Sequence, residues 1–326
     1  MHAARGACPS GAIALTRRIA GVSLLLLVIG LACSGEGGRG RFLSVGTGGT
    51  GGIYYPLGGA IASLLSSGDP ERQYTAEVTG GSVENIARIA AGQIDLGFAI
   101  GTSVAAAFNG TEDAAPVPEL RVVAPLYPNV AHVLVRDSAG IGSLADLAGK
   151  AVSVGSAGSG TEQFSRHLLA AYDLDYESIN ERYLSFSESS AALRDGAIDA
   201  AIFSVGYPAA AVLEATTNAA VTLLPVTGAP AARLRGLYPF YTDAVIPGGT
   251  YAGLESDVAT VAVMNWMVGL ESLDPTSVTN LLDLLRDRRD SLVRVNRIAE
   301  QIDLAALADA PIPLHTAASA WLEANR

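Results

Sequence analysis

Short apolar runs alternate with segments of helical periodicity along most of this chain. Phe42 to Val45 reads as a strand, and Leu57 to Leu65 places its apolar residues at helical spacing. The alternation continues with a strand at Tyr74 to Val78, a helix at Val83 to Ala91 with Ser82 as its N-cap, and a strand at Leu96 to Ile100. Two further strands are expected at Leu120 to Leu126 and His132 to Val135, separated by an aromatic loop, Tyr127-Pro128-Asn129. Downstream, Leu144 to Lys150 reads as a short helix and turn, Lys150 to Val154 as a strand and Glu162 to Tyr172 as a helix. Tyr183 to Phe186 is an expected strand, Ser187 to Arg194 a helix capped by Ser187, and Ala200 to Phe203 a strand leading into the loop Ser204 to Pro208. Pro225 to Pro247 shows no clear period. Val258 to Met267 is an apolar run suited to a strand crossing back, and Val278 to Leu292 and Ala317 to Glu323 read as helices. Strand and helix alternating in this way argue for an α/β fold with parallel pairing.

The residues between the first strand and the first helix are Gly46-Thr47-Gly48-Gly49-Thr50-Gly51-Gly52-Ile53-Tyr54-Tyr55-Pro56. Glycines let a backbone approach a ligand closely, and the first N–H groups of a helix lack an intrahelical acceptor. A strand, a glycine-rich turn and a helix together therefore make a holder for an anion. The glycines exceed what a tight turn needs.

The same device recurs. Val154-Gly155-Ser156-Ala157-Gly158-Ser159-Gly160-Thr161 aligns with Val45 to Gly52, again after a strand and before a helix. A second phrase follows each copy: Gly92-Gln93-Ile94-Asp95-Leu96-Gly97-Phe98 parallels Gly196-Ala197-Ile198-Asp199-Ala200-Ala201-Ile202. Two matched phrases at similar offsets describe two related α/β halves, each opening on an anion loop.

Composition narrows the class. The chain has 326 residues, 49% hydrophobic and 16% charged, enough for two cored domains. Its net charge of −11 argues against a nucleic-acid partner, which needs a basic face. Arg17-Arg18 precedes an apolar run, Ile19 to Ala32, too short to span a bilayer comfortably, which is the pattern of a secretory signal. The only cysteines are Cys8 and Cys33, so the domain after the signal has no disulfide to form. Residues 1–33 read as a signal ending at Cys33, and Ser34 to Arg41 as a flexible tether.

No catalytic set assembles locally. His132, His167 and His315 lack metal-ligand spacing, and neither glycine loop gives a G-x-S-x-G nucleophile elbow. Gly46-x-Gly48-x-x-Gly51 formally matches a dinucleotide fingerprint, but Glu77 is not placed as the acidic end of the second strand, and neither loop holds the lysine of a P-loop. The reading is an exported binding protein with no cofactor and no metal, not an enzyme. Its alternatives are an orphan ligand sensor and an exported α/β hydrolytic enzyme.

Several phrases resemble the TAXI family of solute-binding proteins, which serve TRAP transporters: GTGGTGGIYYPLGGAIA, TGGSVENIARIAAGQIDLGFA, GSLADLAGKAVSVGSAGSGTE, LRDGAIDAAIFSVGYP, PGGTYAG and IPLHTAASAWLE. They span nearly all of Phe42 to Arg326 in order. The resemblance implies a two-lobed, periplasmic-binding-protein-like (type II) fold with the ligand cleft between lobes. The expected division is 42–135 plus 260–326 for one lobe and 136–259 for the other. It also implies a TRAP-type permease as partner and a small organic acid or amino acid, such as glutamate or 2-oxoglutarate, as ligand. Leu31-Ala32-Cys33-Ser34-Gly35 resembles a bacterial lipobox, which would make Cys33 a lipid anchor and the location extracytoplasmic. Asn129 stands where many members carry an acidic residue.

The expected site follows. A ligand carboxylate is to be held by backbone N–H groups of Gly51, Gly52, Gly160 and Thr161, with hydroxyls of Thr50 and Ser159 adding bonds. Gly48, Gly49, Ser156, Gly158 and Gly206 complete the backbone surface. Tyr54, Tyr127 and Phe203 form apolar walls, and Ser82 and Asn85 read polar groups. Closure is expected about hinges near Val133 to Val135 and Val258 to Val263.

Overall fold

The computed structural model describes residues 41–111 and 114–325. The expected signal, Cys33 and the tether through Gly40 lie outside the described residues. No helix among the described residues is long and apolar enough to cross a membrane.

The chain opens with β1 (Arg41–Gly46), α1 (Tyr54–Gly68), β2 (Arg72–Glu77), α2 (Ser82–Ala90), β3 (Leu96–Ile100) and α3 (Gly101–Asn109). β1 pairs in parallel with β2 on one side and β3 on the other. The long strand β4 (Leu120–Arg136) follows, then β5 (Ala151–Ser153), α4 (Gly160–Ala171), β6 (Asn180–Arg182), α5 (Phe186–Asp195), β7 (Ala200–Val205), α6 (Ala210–Asn218) and β8 (Val221–Leu224). Here β5 pairs in parallel with β6 and β7. The chain returns through α7 (Gly228–Leu237), β9 (Tyr241–Ile246) and β10 (Val258–Leu270), and closes with α8 (Pro275–Asp287), α9 (Arg289–Val295) and α10 (Thr316–Ala324). One sheet results, ordered β2-β1-β3-β10-β4-β7-β5-β6, with β8 on β4 and β9 on β10.

β4 and β10 join the two halves of this sheet. β4 pairs with β10 from Leu120 to Val130, then with β7 from Val130 to Val135. β10 pairs with β9 up to Val263 and with β3 from Asn265 onward. The exchange of partners therefore lies at Val130 and at Met264–Asn265, on the first-half side of the expected hinge segments. The expected loop Tyr127-Pro128-Asn129 is instead the middle of β4. Pro125 and Pro128 supply no N–H to the ladder, and the pairing of β10 is irregular between Met264 and Trp266, opposite them. The sequence shows the prolines but not the irregular partner that accommodates them.

Other boundaries move for local reasons. The strand expected at Tyr183 to Phe186 is displaced to β6. Ser185 caps α5, accepting from the Glu188 N–H while the Glu188 carboxylate accepts from the Ser185 N–H, so Ser187 is already helical. Ser82 is the first residue of α2 and not its cap, and its hydroxyl accepts from the Ile100 N–H at 3.1 Å. α3 escapes the sequence because Gly101 to Ala107 is built of small residues without a period. The expected helix Val278 to Leu292 divides into α8 and α9 at Arg288.

The sequence repeat has a structural counterpart. The Asp95 carboxylate accepts from the Ser44 N–H on β1 at 2.8 Å, and the Asp199 carboxylate accepts from the Ala151 N–H on β5 at 3.0 Å. Each aspartate locks the turn before a central strand to the neighbouring strand. The buried core follows sheet faces more than sequence halves. One cluster joins Leu57, Phe98 and Val123 to Phe203 and Val212; the other gathers Ile100, Val133, Phe164, Leu168 and Val263.

Candidate functional site

A cavity lies where the two halves meet. Gly48, Gly49, Gly52, Ile53 and Tyr54 line it from the first glycine loop and α1, and Gly80, Gly81 and Ser82 from the start of α2. Ser156, Ser159, Gly160 and Thr161 line it from the second loop and α4, and Ser185 and Phe186 from the start of α5. Ile100, Tyr127, Asn129, Ser204 and Val205 close it from the strand ends. The centres of water-sized spheres can occupy about 60 Å³ of it. One such sphere takes roughly 10–15 Å³, so the space suits a compact solute. No charged side chain is among the lining residues.

Four helices thus begin at the cavity, two from each half. The right-handed crossovers of α/β units fix their arrangement. From β1 the chain steps outward to β2, and from β2 it steps inward to β3, so α1 and α2 lie on opposite faces of the sheet. The same reversal from β5 to β6 and from β6 to β7 separates α4 from α5. Across the cavity, α1 meets α5: a Cβ placed on Gly52 would lie 3.2 Å from the Phe186 ring. Likewise α2 meets α4: a Cβ on Gly160 would lie 2.6 Å from Ser82 Oγ, and the Glu84 N–H donates to the Gly158 carbonyl at 3.0 Å. Gly81 (φ 122°) and Gly158 (φ 72°) occupy the left-handed region, where a side chain would strain the close approach.

Between these pairs of helix ends runs a buried polar chain. The Tyr54 hydroxyl donates to the Asn265 side-chain oxygen. The Asn265 amide donates to the Tyr127 carbonyl and to Asn129 Oδ1, both at 2.7 Å, and the Asn129 amide donates to the Ser204 carbonyl at 2.9 Å. Both crossing strands and both halves are tied together in this way. Tyr127 is 0% exposed, and its hydroxyl has no hydrogen-bond partner among the described residues. Burial raises the pKa of Tyr54 and of Tyr127 well above the ordinary phenol value, so both stay neutral.

Of the residues expected at the site, Gly48, Gly49, Gly52, Tyr54, Ser82, Tyr127, Ser156, Ser159, Gly160 and Thr161 are brought together in the lining. The other expected residues lie outside it. Thr50 is exposed, and Gly51 packs against Ser187 across the cleft. Gly158 accepts the cross-half bond from Glu84, and Gly206 is packed against Ile53, Tyr127 and Ile298. Phe203 lies outside the lining, with its ring 5.3 Å from that of Phe186, which does line the cavity. The capping signal Ser185-x-x-Glu188 is the one clue that would have placed Phe186 at a helix start. Ser204 and Val205 lie at the end of β7, just beyond the expected strand Ala200 to Phe203.

Asn85 also leaves the expected set. Its amide donates to the carbonyls of Thr47 at 2.7 Å and Phe98 at 2.9 Å, and its oxygen accepts from the Thr79 hydroxyl at 2.7 Å. It holds the first glycine loop to β3, with both amide hydrogens engaged by backbone carbonyls. Asn85→Ala is expected to cost about 3 kcal/mol of stability, since buried acceptors lose their donors. Urea unfolding measures this, and a loss under about 1 kcal/mol would return Asn85 to the ligand contacts.

The three histidines among the described residues have structural partners away from the cavity lining. His132 bridges the Val130 carbonyl and the Tyr251 hydroxyl, and burial lowers its pKa to about 4. His167 stacks on Tyr238 and meets the Tyr241 hydroxyl. His315 accepts the Ala317 N–H at the start of α10. No group of three or more His, Cys, Asp and Glu suited to a metal occurs among the described residues.

The model of the NMT1-like family matches residues 45–323. The fold is that of periplasmic-binding-protein-like structures. MatC from Rhodopseudomonas palustris with bound malate is 15% identical, with 87% of this chain and 99% of that chain covered and a TM-score of 0.56. A protein from Bordetella bronchiseptica RB50 is 17% identical over 87% of this chain and 81% of its own, with a TM-score of 0.52. The periplasmic aliphatic sulphonate binding protein SsuA from Escherichia coli is 16% identical over 87% of this chain and 90% of its own, with a TM-score of 0.46.

Proposed function

The chain belongs to the NMT1-like family, and we propose that it is an extracytoplasmic receptor that captures a small carboxylate between its two halves. It hands the solute to an ion-coupled membrane permease of the TRAP type, as the TAXI-like phrases imply, and is held at the membrane through lipidated Cys33. The observation that carries this reading is a cavity lined by the starts of four helices and by no charged side chain. Each helix start offers unpaired N–H groups and a partial positive charge, which suits an anion and needs no catalytic group. Malate bound to a protein of this fold accords with a carboxylate ligand.

The two matched phrases place equivalent anion loops on both halves, so a solute is fully enclosed only when the halves meet. The lobes are 42–135 with 260–326, and 136–259, with the flexing point at the partner exchange of β4 and β10. Ligand then favours the closed form by its differential affinity for it.

A thermal-shift series of organic acids and amino acids on protein beginning after Cys33 tests the reading. A bound solute at about one hundred times its Kd adds about 2.7 kcal/mol to the native state, which is several degrees in Tm. Failure of every carboxylate to raise the Tm would remove the receptor reading.

A further inference from the structure

We propose that Gln163, which lies outside the cavity lining, is a positioning residue: its bond to Ser103 holds the two halves together and sets how much of the unliganded protein is closed. This rests on the closure of two halves given above and names the pair that biases it. Gln163 is in the first turn of α4, in the second half, and its side-chain oxygen accepts from the Ser103 hydroxyl at 2.6 Å. Ser103 is buried near the start of α3, in the first half. The helix opens with Gly101-Thr102-Ser103, and residues this small let α4 come close enough for a glutamine to reach the hydroxyl.

Few other bonds compete for this role. Away from the crossing strands, two main-chain bonds join the halves among the described residues. The Glu84 N–H donates to the Gly158 carbonyl at 3.0 Å, and the Ala211 N–H donates to the Gly51 carbonyl at 3.4 Å. Any sequence on this backbone could make those two. The Thr102 hydroxyl reaches the same Gln163 oxygen only at 3.5 Å, too long to count for much. Ser103 with Gln163 is therefore the link between halves that residue choice controls.

The size of the effect suits a bias. When the halves part, both groups face water, so their bond in the closed form returns only a modest net gain. A gain of that size changes the ratio of closed to open protein about fivefold. That sustains a closed fraction before any solute arrives, yet leaves the outcome to the solute's own preference for the closed form. Apparent affinity follows the competent fraction, so Gln163 governs binding without touching the ligand.

Paired spin labels test this with no ligand present. The chain after Cys33 holds no cysteine, so Ala90→Cys on α2 and Ala170→Cys on α4, both exposed, carry the only labels. The starts of these two helices meet across the cavity, so parting of the halves lengthens the distance between the labels. Pulsed dipolar spectroscopy of the unliganded chain is expected to show a short and a long distance. Gln163→Leu and Ser103→Ala are each expected to lower the short-to-long ratio about fivefold. Together they should do no more than either alone, because they remove one bond. Gln163→Glu still offers the hydroxyl an acceptor, and the ratio is expected to stay within about twofold or to rise. An unchanged ratio in Ser103→Ala, or additive effects in the double variant, overturns the inference and leaves closure in place. A single long distance in the natural chain overturns it too, since the solute alone would then drive closure. A single short distance in the natural chain and every variant defeats both the inference and closure. Ser103→Ala is the smaller change and decides the matter if the leucine variant folds poorly.

Discussion

Gly160→Val should remove carboxylate binding while leaving the unliganded protein folded. The glycine is the first residue of α4, and its φ lies outside the left-handed region, so the backbone itself accepts a side chain. The obstacle comes from the other half. A Cβ would stand 2.6 Å from Ser82 Oγ and 2.9 Å from Ile100 Cδ1, and a valine adds two methyl groups beyond it. On the proposed closure these contacts form only when the halves come together, so the closed form would take nearly the whole penalty. Overpacking of this kind costs about 3 kcal/mol, which is more than a hundredfold in Kd. Malate and 2-oxoglutarate serve as the probes in calorimetry. Gly59→Ala is the matched control, because Gly59 lies outside the cavity lining and nothing among the described residues lies within 4 Å of a Cβ there, and its affinity is expected to stay within about twofold. Retention of affinity in Gly160→Val would falsify the placement of the ligand between α2 and α4.

Asn265→Leu is expected to give the largest loss of stability. Asn265 is fully buried and connects Tyr54, the Tyr127 carbonyl and Asn129 across the two crossing strands. Leucine fills a similar volume but leaves the Tyr54 hydroxyl, the Tyr127 carbonyl and Asn129 Oδ1 without it. Orphaned buried groups cost about 1–3 kcal/mol each, so a total of at least about 3 kcal/mol follows. For a chain of this size that is a fall in Tm on the order of 6–12 °C by differential calorimetry. The double variant Asn265→Leu with Tyr54→Phe should recover part of the loss, because it removes one orphaned hydroxyl. Additive destabilisation in the double variant, or a fall in Tm under about 2 °C in the single one, would show that the network is not coupled in this way.

Local chemistry made much of the architecture legible. The apolar runs at Leu96 to Ile100 and Val258 to Met267 became β3 and the body of β10, because uninterrupted burial on both faces leaves a direct signal in sequence. The glycine loops were legible for the same reason: the spacing of Gly48 to Gly52 and Gly158 to Gly160 states what the backbone must do. Tyr127-Pro128-Asn129 reads as a loop in sequence because proline ordinarily breaks a ladder, and the partner that tolerates it is more than a hundred residues away on β10. Ser187 is a plausible cap by residue type, but Ser185 with Glu188 carries the stronger capping pattern and is the cap of α5.

The candidate site divides along a similar line. Tyr54, Ser82, Ser159 and Gly160 were found from sequence because each lies beside a glycine-rich turn. Asn129, Ser204 and Phe186 were not placed in the lining, since each enters it from an element that the sequence assigns elsewhere or ends too soon. Asn85 and Phe203 looked like ligand contacts by residue type, and only their partners show them to be internal supports.

By itself the sequence determined an α/β chain of two related halves, each with a strand, a glycine-rich turn and a helix start able to meet an anion. Those features rest on periodicity and on glycine spacing, which act within a few residues. Only the tertiary structure decided that α1 faces α5 and α2 faces α4, that Asn265 ties the two crossing strands together, and that the Tyr127 hydroxyl is left without a partner among the described residues. The reason is that contacts between distant segments depend on crossover handedness and strand order, which no local pattern encodes.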